Sequence, residues 1–207
     1  MSEEQPERGF DAVLCDLDGV LRRWDPDFVA DLEKRYGVPK GTLLATAFDP
    51  ELLQPAVTGA VSDDEWRRNV AAALLPVYGM DVATGLVADW SAPVGTVDEG
   101  VRELLAGVRA SGVRVGICTN GTTRLEQDIA ALGLVDDVDA VVSSAALGVA
   151  KPEPAYFFAA ALMLEVEAER CVFVDDTQVN VDVAKAVGMR AHLYEGVEGL
   201  RAAIGQD

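Results

Sequence analysis

From residue 91 onward the chain alternates single helical segments with short β-rich runs, and this alternation constrains its fold more than any other feature. Thr96-Val97-Asp98-Glu99 caps a helix that closes near Ser111-Gly112. Val113-Arg114-Val115-Gly116-Ile117-Cys118 follows as a strand, 122–132 as a helix, Asp139-Ala140-Val141-Val142 as a short strand and 154–164 as a helix. Cys171-Val172-Phe173-Val174 is the next strand, 178–187 the next helix, and Arg190-Ala191-His192-Leu193-Tyr194 the last strand. Strands separated by one helix each form right-handed βαβ units and assemble into a parallel sheet. The predicted fold class is therefore α/β, a parallel sheet flanked by helices.

One more β-leaning run, Phe10-Asp11-Ala12-Val13-Leu14-Cys15, opens the chain and delivers Asp16-Leu17-Asp18 into a turn at Gly19. Between it and the alternating region, 24–90 reads as helical. The segment 27–36 has helical spacing and stops at Gly37-Val38-Pro39. Ser62-Asp63-Asp64-Glu65 is a capping box for a helix with Trp66, Val70, Leu74 and Leu75 as apolar positions and an end near Pro76. A further helix lies between 81 and 90. The predicted organisation is an α/β core of 1–22 and 91–207, with 23–90 inserted as a helical unit after the first strand. The chain's 207 residues are enough for one good core and a smaller insertion.

A net charge of −18 argues against nucleic-acid and anionic-membrane partners, because no basic patch is present to release counterions. No apolar run reaches the ~18 residues of a membrane helix. The acidic stretch 1–7 lacks the apolar region of a signal peptide and reads as a disordered lead-in. Cys15, Cys118 and Cys171 lack CxxC spacing and adjoin apolar runs, so buried reduced thiols in a cytoplasmic protein are expected, not a zinc site or a disulfide. An anionic substrate of so acidic a chain needs a metal and locally placed cations. Nothing in the sequence addresses the oligomeric state.

In open parallel sheets, ligands bind beyond the C-terminal ends of the strands. Here those ends carry chemistry. The first strand ends in Asp16 and Asp18, which share one side if the extended geometry holds through the turn. Two such acids can hold a hard metal, supply a nucleophile, or divide acid and base roles. The strand ending at Cys118 gives Thr119-Asn120-Gly121, read as opening a helix whose free N–H groups suit a phosphate. Lys151-Pro152-Glu153-Pro154 places a cation before another helix, and Val174 is followed by Asp175-Asp176 and then Asn180.

This set, in this order, resembles the haloacid dehalogenase (HAD) superfamily of phosphotransferases over nearly the whole chain. Asp16-Leu17-Asp18-Gly19-Val20 matches its first motif, Cys118-Thr119-Asn120 the second, Lys151-Pro152-Glu153-Pro154 the third, and Val174-Asp175-Asp176 with Asn180 the fourth. The helical insertion resembles the family's type-one cap. The resemblance implies a Rossmann-like core and a Mg²⁺-dependent phosphatase acting on a small phosphorylated metabolite through an aspartyl-phosphate. It implies Asp16 as nucleophile and Asp18 as acid and base. The metal would be held by the Asp16 carboxylate, the Asp18 carbonyl and Asp176, with Asp175 and Asn180 supporting them. Thr119 and the Asn120 amide would bind phosphoryl oxygens, and Lys151 would neutralise charge on the phosphate and on Asp16.

Rival readings differ in the parts they need. A 2-haloacid dehalogenase uses an aspartate nucleophile but needs neither Mg²⁺ nor an acid two residues on, so Asp18 and the second acidic pair favour phosphoryl transfer. A phosphomutase hands the phosphoryl group to another substrate instead of water and is left open by the sequence. A receiver-like signalling domain carries its acidic pair early and its phosphoacceptor in a middle strand; here the Asp16-Leu17-Asp18 run is early, the second acidic pair follows Lys151 and a long insertion intervenes, which argues against it. A non-catalytic phospho-ligand-binding relative is countered by complete motifs. There is no GxSxG elbow with a placed histidine, no GxxxxGK[ST] loop and no GxGxxG fingerprint. Arg22 and Arg23, at the entry to the insertion, are expected in surface salt bridges. Trp24, Phe48 and Trp66 are expected in the core of the insertion, and His192, the single histidine, in a structural role.

Overall fold

The computed structural model describes residues 9–205; the lead-in read at 1–7 lies outside them. In chain order the elements are β1 (Ala12–Cys15), β2 (Arg22–Arg23), α1 (Phe28–Tyr36), α2 (Thr42–Ala47), α3 (Pro50–Val57), α4 (Asp63–Tyr78), α5 (Met80–Ser91) and β3 (Thr96–Val97). They continue with α6 (Glu99–Ala110), β4 (Arg114–Thr119), α7 (Leu125–Ala131), β5 (Ala140–Ser143), α8 (Ser144–Leu147) and α9 (Pro154–Met163). A short 3₁₀ turn then leads to β6 (Cys171–Asp175), α10 (Gln178–Ala186), β7 (Arg190–Leu193) and α11 (Val197–Ala203).

Five strands form the predicted parallel sheet, in the order β5-β4-β1-β6-β7, which gives a Rossmann-like α/β core. β1 pairs in parallel with both β4 and β6 and is therefore central. The chain steps outward from β4 to β5 and then crosses to β6 on the other side of β1. The crevice of such a sheet opens where the winding direction reverses, at the C-terminal end of β1. Side chains alternate between the two faces of a strand. Val13 and Cys15, with Val115, Ile117, Val172 and Val174, pack against Leu104, Leu105, Ile129 and Leu200. Ala12, Leu14 and Phe173 take the opposite face with Tyr156, Phe157, Ala160 and Ala184. Burying each large aliphatic side chain contributes about 1.5–3 kcal/mol, so both faces hold the sheet rigid beneath its polar edge.

The helices α1 to α5 gather around a separate core of Leu32, Leu43, Trp66, Val70, Leu74 and Leu86. Gly37, with φ of 69°, ends α1 as its sequence predicts, and the Ser62 hydroxyl accepts the Glu65 N–H at 3.2 Å to start α4. Pro76 does not end that helix. It forfeits one N–H bond, and the helix runs on to Tyr78 and stops at Gly79, φ 80°. The two chain crossings into and out of the helices pair as an antiparallel ribbon, Arg22 with Val97 and Arg23 with Thr96, which sequence periodicity did not foretell.

Three expectations are corrected here. Arg22 is buried, because the ribbon turns its side chain inward to two carboxylates. Trp24 is 44% exposed, since its indole N–H is directed to Asp18 before the first helix begins. Phe48, at the C-terminal cap of α2 where the chain turns away, is half exposed; only Trp66 of the three aromatics is core. Among the described residues no helix is long and apolar enough to cross a membrane.

Candidate active site

Asp16 sits at the end of β1, almost wholly buried. Its Oδ1 accepts the Leu17 N–H at 2.7 Å and lies 2.9 Å from Lys151 Nζ. Nζ also donates to Asp175 Oδ2 at 2.7 Å and to the Cys118 carbonyl at 3.0 Å. An ammonium has three N–H groups, and all three are committed to protein acceptors. At the end of β6, Asp175 is fully buried, and its Oδ1 accepts the Thr177 N–H at 2.8 Å and the Asn180 amide at 3.0 Å. Asp175 and Asn180 thus hold the lysine in place. Burial pushes the Asp16 carboxyl up to about 7; Lys151 pulls it down and Asp175 pushes it up. Burial works against the Lys151 ammonium, but Asp16 and Asp175 outweigh it and hold the lysine above its ordinary value.

Thr119 ends β4 beside them and lines the pocket. Asn120 behaves differently. Its side-chain amide donates to the Lys151 carbonyl and accepts the Lys151 N–H, both at 2.8 Å. It therefore fixes the loop that carries the lysine, and any contact to a ligand falls to its backbone. The helix read from about residue 122 begins only at Leu125, and in the intervening turn the Thr122 hydroxyl donates to Asp63 at 2.7 Å. The segment between Thr119 and α7 is therefore a loop and not a helix N-terminus.

Asp18 lies at the mouth of the same pocket, of about 330 Å³, together with Asp176 and Thr177. A fork from Arg22 grips it, Nε to Oδ1 and NH2 to Oδ2, each at 2.8 Å, and the Trp24 indole donates to Oδ1 at 2.7 Å. The third arm of Arg22 reaches Asp128 at 3.1 Å. Asp176 passes directly over Gly19. A Cβ there would stand 2.0 Å from Asp176 Oδ2, and the φ of 82° also favours glycine. The sequence reading missed Trp24, Asp128, Gly19 and Thr177 as parts of the site. Only Gly19 carried a signal, as the turn glycine of the first motif. His192, on β7, lies outside the pocket, and its buried Nε2 has no hydrogen-bond partner among the described residues.

Carboxylate oxygens of Asp16, Asp175 and Asp176 lie within 4.8 Å of one another. With Asp175 occupied by Lys151 and Asn180, Asp16 and Asp176 are the acids left to face a ligand. An all-oxygen, acidic donor set without histidine or an accessible thiolate fits a hard dication such as Mg²⁺.

Comparisons with known proteins agree with this geometry. The model of the haloacid dehalogenase-like hydrolase family matches residues 10–188. A phosphoglycolate phosphatase of Cereibacter sphaeroides is 30% identical over 202 residues, 92% of this chain and 87% of that protein. A HAD family enzyme of Bacteroides thetaiotaomicron, solved with magnesium and inorganic phosphate, superposes with a TM-score of 0.72 at 18% identity, covering 90% of this chain and 95% of that one. The L-2-haloacid dehalogenase of Xanthobacter autotrophicus superposes with a TM-score of 0.65 at 24% identity, covering 96% and 84%. At these identities the two structures speak to the fold alone.

Proposed function

The chain belongs to the haloacid dehalogenase-like hydrolase family, and from that premise we propose that it is a Mg²⁺-dependent phosphatase of a small phosphorylated metabolite. The division of the two acids of the first motif carries this reading. Asp16 is buried and fixed by Lys151, whereas Asp18 stands at the pocket mouth among hydrogen-bond donors. With Oδ1 of Asp16 engaged, its second oxygen is the one to attack phosphorus, forming an O–P bond as the ester P–O bond breaks. Asp18 hands a proton to the departing oxygen and then takes one from the water that hydrolyses the acyl phosphate.

The Thr119 hydroxyl donates to a phosphoryl oxygen. Lys151 acts as a fixed positive charge, because its N–H groups are already spoken for. Asp16, Asp176 and the Asp18 carbonyl are the groups to hold the metal, with Asp175 and Asn180 behind them. Mg²⁺, when bound, neutralises phosphoryl charge and favours the ionised Asp16. The helices α1 to α5, with their own core and the paired crossings of β2 and β3, serve as a cap over the pocket. Three buried free thiols suit a reducing cytoplasm.

The curated relatives' phosphatase names support the same reaction. A carbon–halogen hydrolase has no use for Asp18 as an acid or for Asp176 as a metal ligand. The test is hydrolysis of an aryl phosphate with and without Mg²⁺, comparing wild type with Asp16→Asn. Turnover that needs the metal and disappears in the variant is expected. Turnover surviving Asp16→Asn, or chloride release from a 2-haloacid without metal, overturns the reading.

A further inference from the structure

Trp24 does not lie where a core aromatic lies. Its side chain is 44% exposed, its indole N–H rests 2.7 Å from Asp18 Oδ1, and the Arg22 guanidinium covers it at 4.8 Å from the ring centroid. A leaving oxygen that takes a proton from Asp18 must come within about 2.5–3.0 Å of that carboxylate. The atoms behind that oxygen then fall beside the indole. Arg22 occupies one side of the ring, and the exposed remainder is an apolar, planar surface next to the departing group.

The charges around the pocket say what that group is not. Among the described residues Lys151 is the single cation lining it, and its three N–H groups are used by Asp16, Asp175 and the Cys118 carbonyl. Arg22 is spent on Asp18 and Asp128, and Arg23 on Asp98, the Gly19 carbonyl and the Tyr194 hydroxyl. A carboxylate on the leaving group finds no uncommitted cation among these residues, while Asp18 and Asp176 repel it. Aromatic surface beside aromatic surface is favourable and tolerates many ring types.

We propose that Trp24 is a specificity-determining residue that receives the leaving group, and that the substrate class is phosphate monoesters of uncharged alcohols with a planar, aromatic face. This rests on the phosphatase reading above. It separates the chain from relatives named for phosphoglycolate, whose leaving group carries a carboxylate.

The test compares benzyl phosphate, propyl phosphate and 2-phosphoglycolate with Mg²⁺ on wild type, Trp24→Ala and Trp24→Phe. Benzyl and propyl alcohol are similar leaving groups, so their ratio reads the ring and not the proton transfer. Wild type is expected to favour the benzyl ester in kcat/KM by roughly fivefold to tenfold, with 2-phosphoglycolate the poorest of the three. Trp24→Ala abolishes the benzyl preference, mainly through KM. Trp24→Phe keeps most of it while lowering both rates together, since the N–H to Asp18 is lost and the ring is kept. Equal losses on benzyl and propyl esters in Trp24→Ala, or a wild-type preference for 2-phosphoglycolate, overturn the proposal while leaving a phosphatase. No turnover of any ester by wild type overturns the phosphatase reading and the proposal with it.

Discussion

Replacing Lys151 by methionine keeps the stem of the side chain and removes the ammonium that Asp16 and Asp175 share at 2.9 and 2.7 Å. Both carboxylates are almost fully shielded from solvent, so neither can recover the lost partner from water. Removing one member of a buried ion pair costs about 3–5 kcal/mol, because the remaining charge stays desolvated. The deficit depends on pH through Asp16, whose carboxyl burial raises to about 7. At pH 8 that carboxylate is ionised, and its pairing with Lys151 is fully lost in the variant. At pH 5 it is protonated already in wild type, so the variant has less pairing to lose there. Urea unfolding in chelator, followed by circular dichroism, therefore shows a deficit of about 3–5 kcal/mol at pH 8 and a smaller one at pH 5. In melting temperature the pH 8 deficit is on the order of 10 °C for a chain of this length. A deficit that is the same at both pH values, or one below about 1 kcal/mol at pH 8, refutes the shared-ammonium account.

Three further outcomes follow from the same geometry. Metal-free wild type loses stability as pH rises from about 4 to 7, because the folded Asp16, raised from 3.8 to about 7, binds a proton that the unfolded chain releases; thermal melts show Mg²⁺ raising Tm more at pH 8 than at pH 5. Gly19→Ala forces a methyl into Asp176 Oδ2 at a backbone φ of 82°, so isothermal titration is expected to show Mg²⁺ affinity falling about 10–100-fold; unchanged affinity rejects Asp176 as a ligand. Glu33→Ala removes the buried carboxylate that accepts the Gly41 and Leu43 N–H groups at 2.7 Å each, and denaturation is expected to show a loss of about 1–3 kcal/mol; a loss under about 0.5 kcal/mol shows that water replaces the carboxylate there.

The fold was legible because β4, β5, β6 and β7 are short β-rich runs separated by helical segments, although α8, between β5 and α9, carried no signal of its own. Asp16, Asp18, Thr119, Lys151, Asp176 and Asn180 were legible for a related reason. Each lies at or beyond the C-terminal end of a strand of one parallel sheet, so the topology brings them to the same edge, where they line one pocket. What escaped the sequence depends on contacts without local pattern. Arg22 meets Asp128 across 106 positions, and no spacing marks that pair. An arginine beside a chain crossing reads as a surface residue until the β2–β3 ribbon is seen to turn it inward. Asn120 sits in a recognisable motif, yet its amide holds the Lys151 backbone, a use that residue type does not disclose.

The charge balance of the site explains how a chain with a net charge of −18 can take up an anion. Asp16 and Asp175 share Lys151, and Asp18 is matched by Arg22, which Asp128 draws on from the other side. Asp128 in turn has Arg124, at 2.9 Å. Asp176 has only the Thr177 hydroxyl, at 3.1 Å, and no ion pair among the described residues. Four carboxylates thus meet two cations, an excess of two negative charges at one end of β1. Against that excess a phosphate dianion is repelled, however well Thr119 and the loop beside it are placed. One dication brings the local sum to zero, at the side where Asp176 crosses Gly19 and no cation competes for its oxygens. The uncompensated acid therefore makes binding of the anion conditional on the metal, whereas a second lysine in its place would admit any phosphate and leave Asp16 tied up in ion pairs.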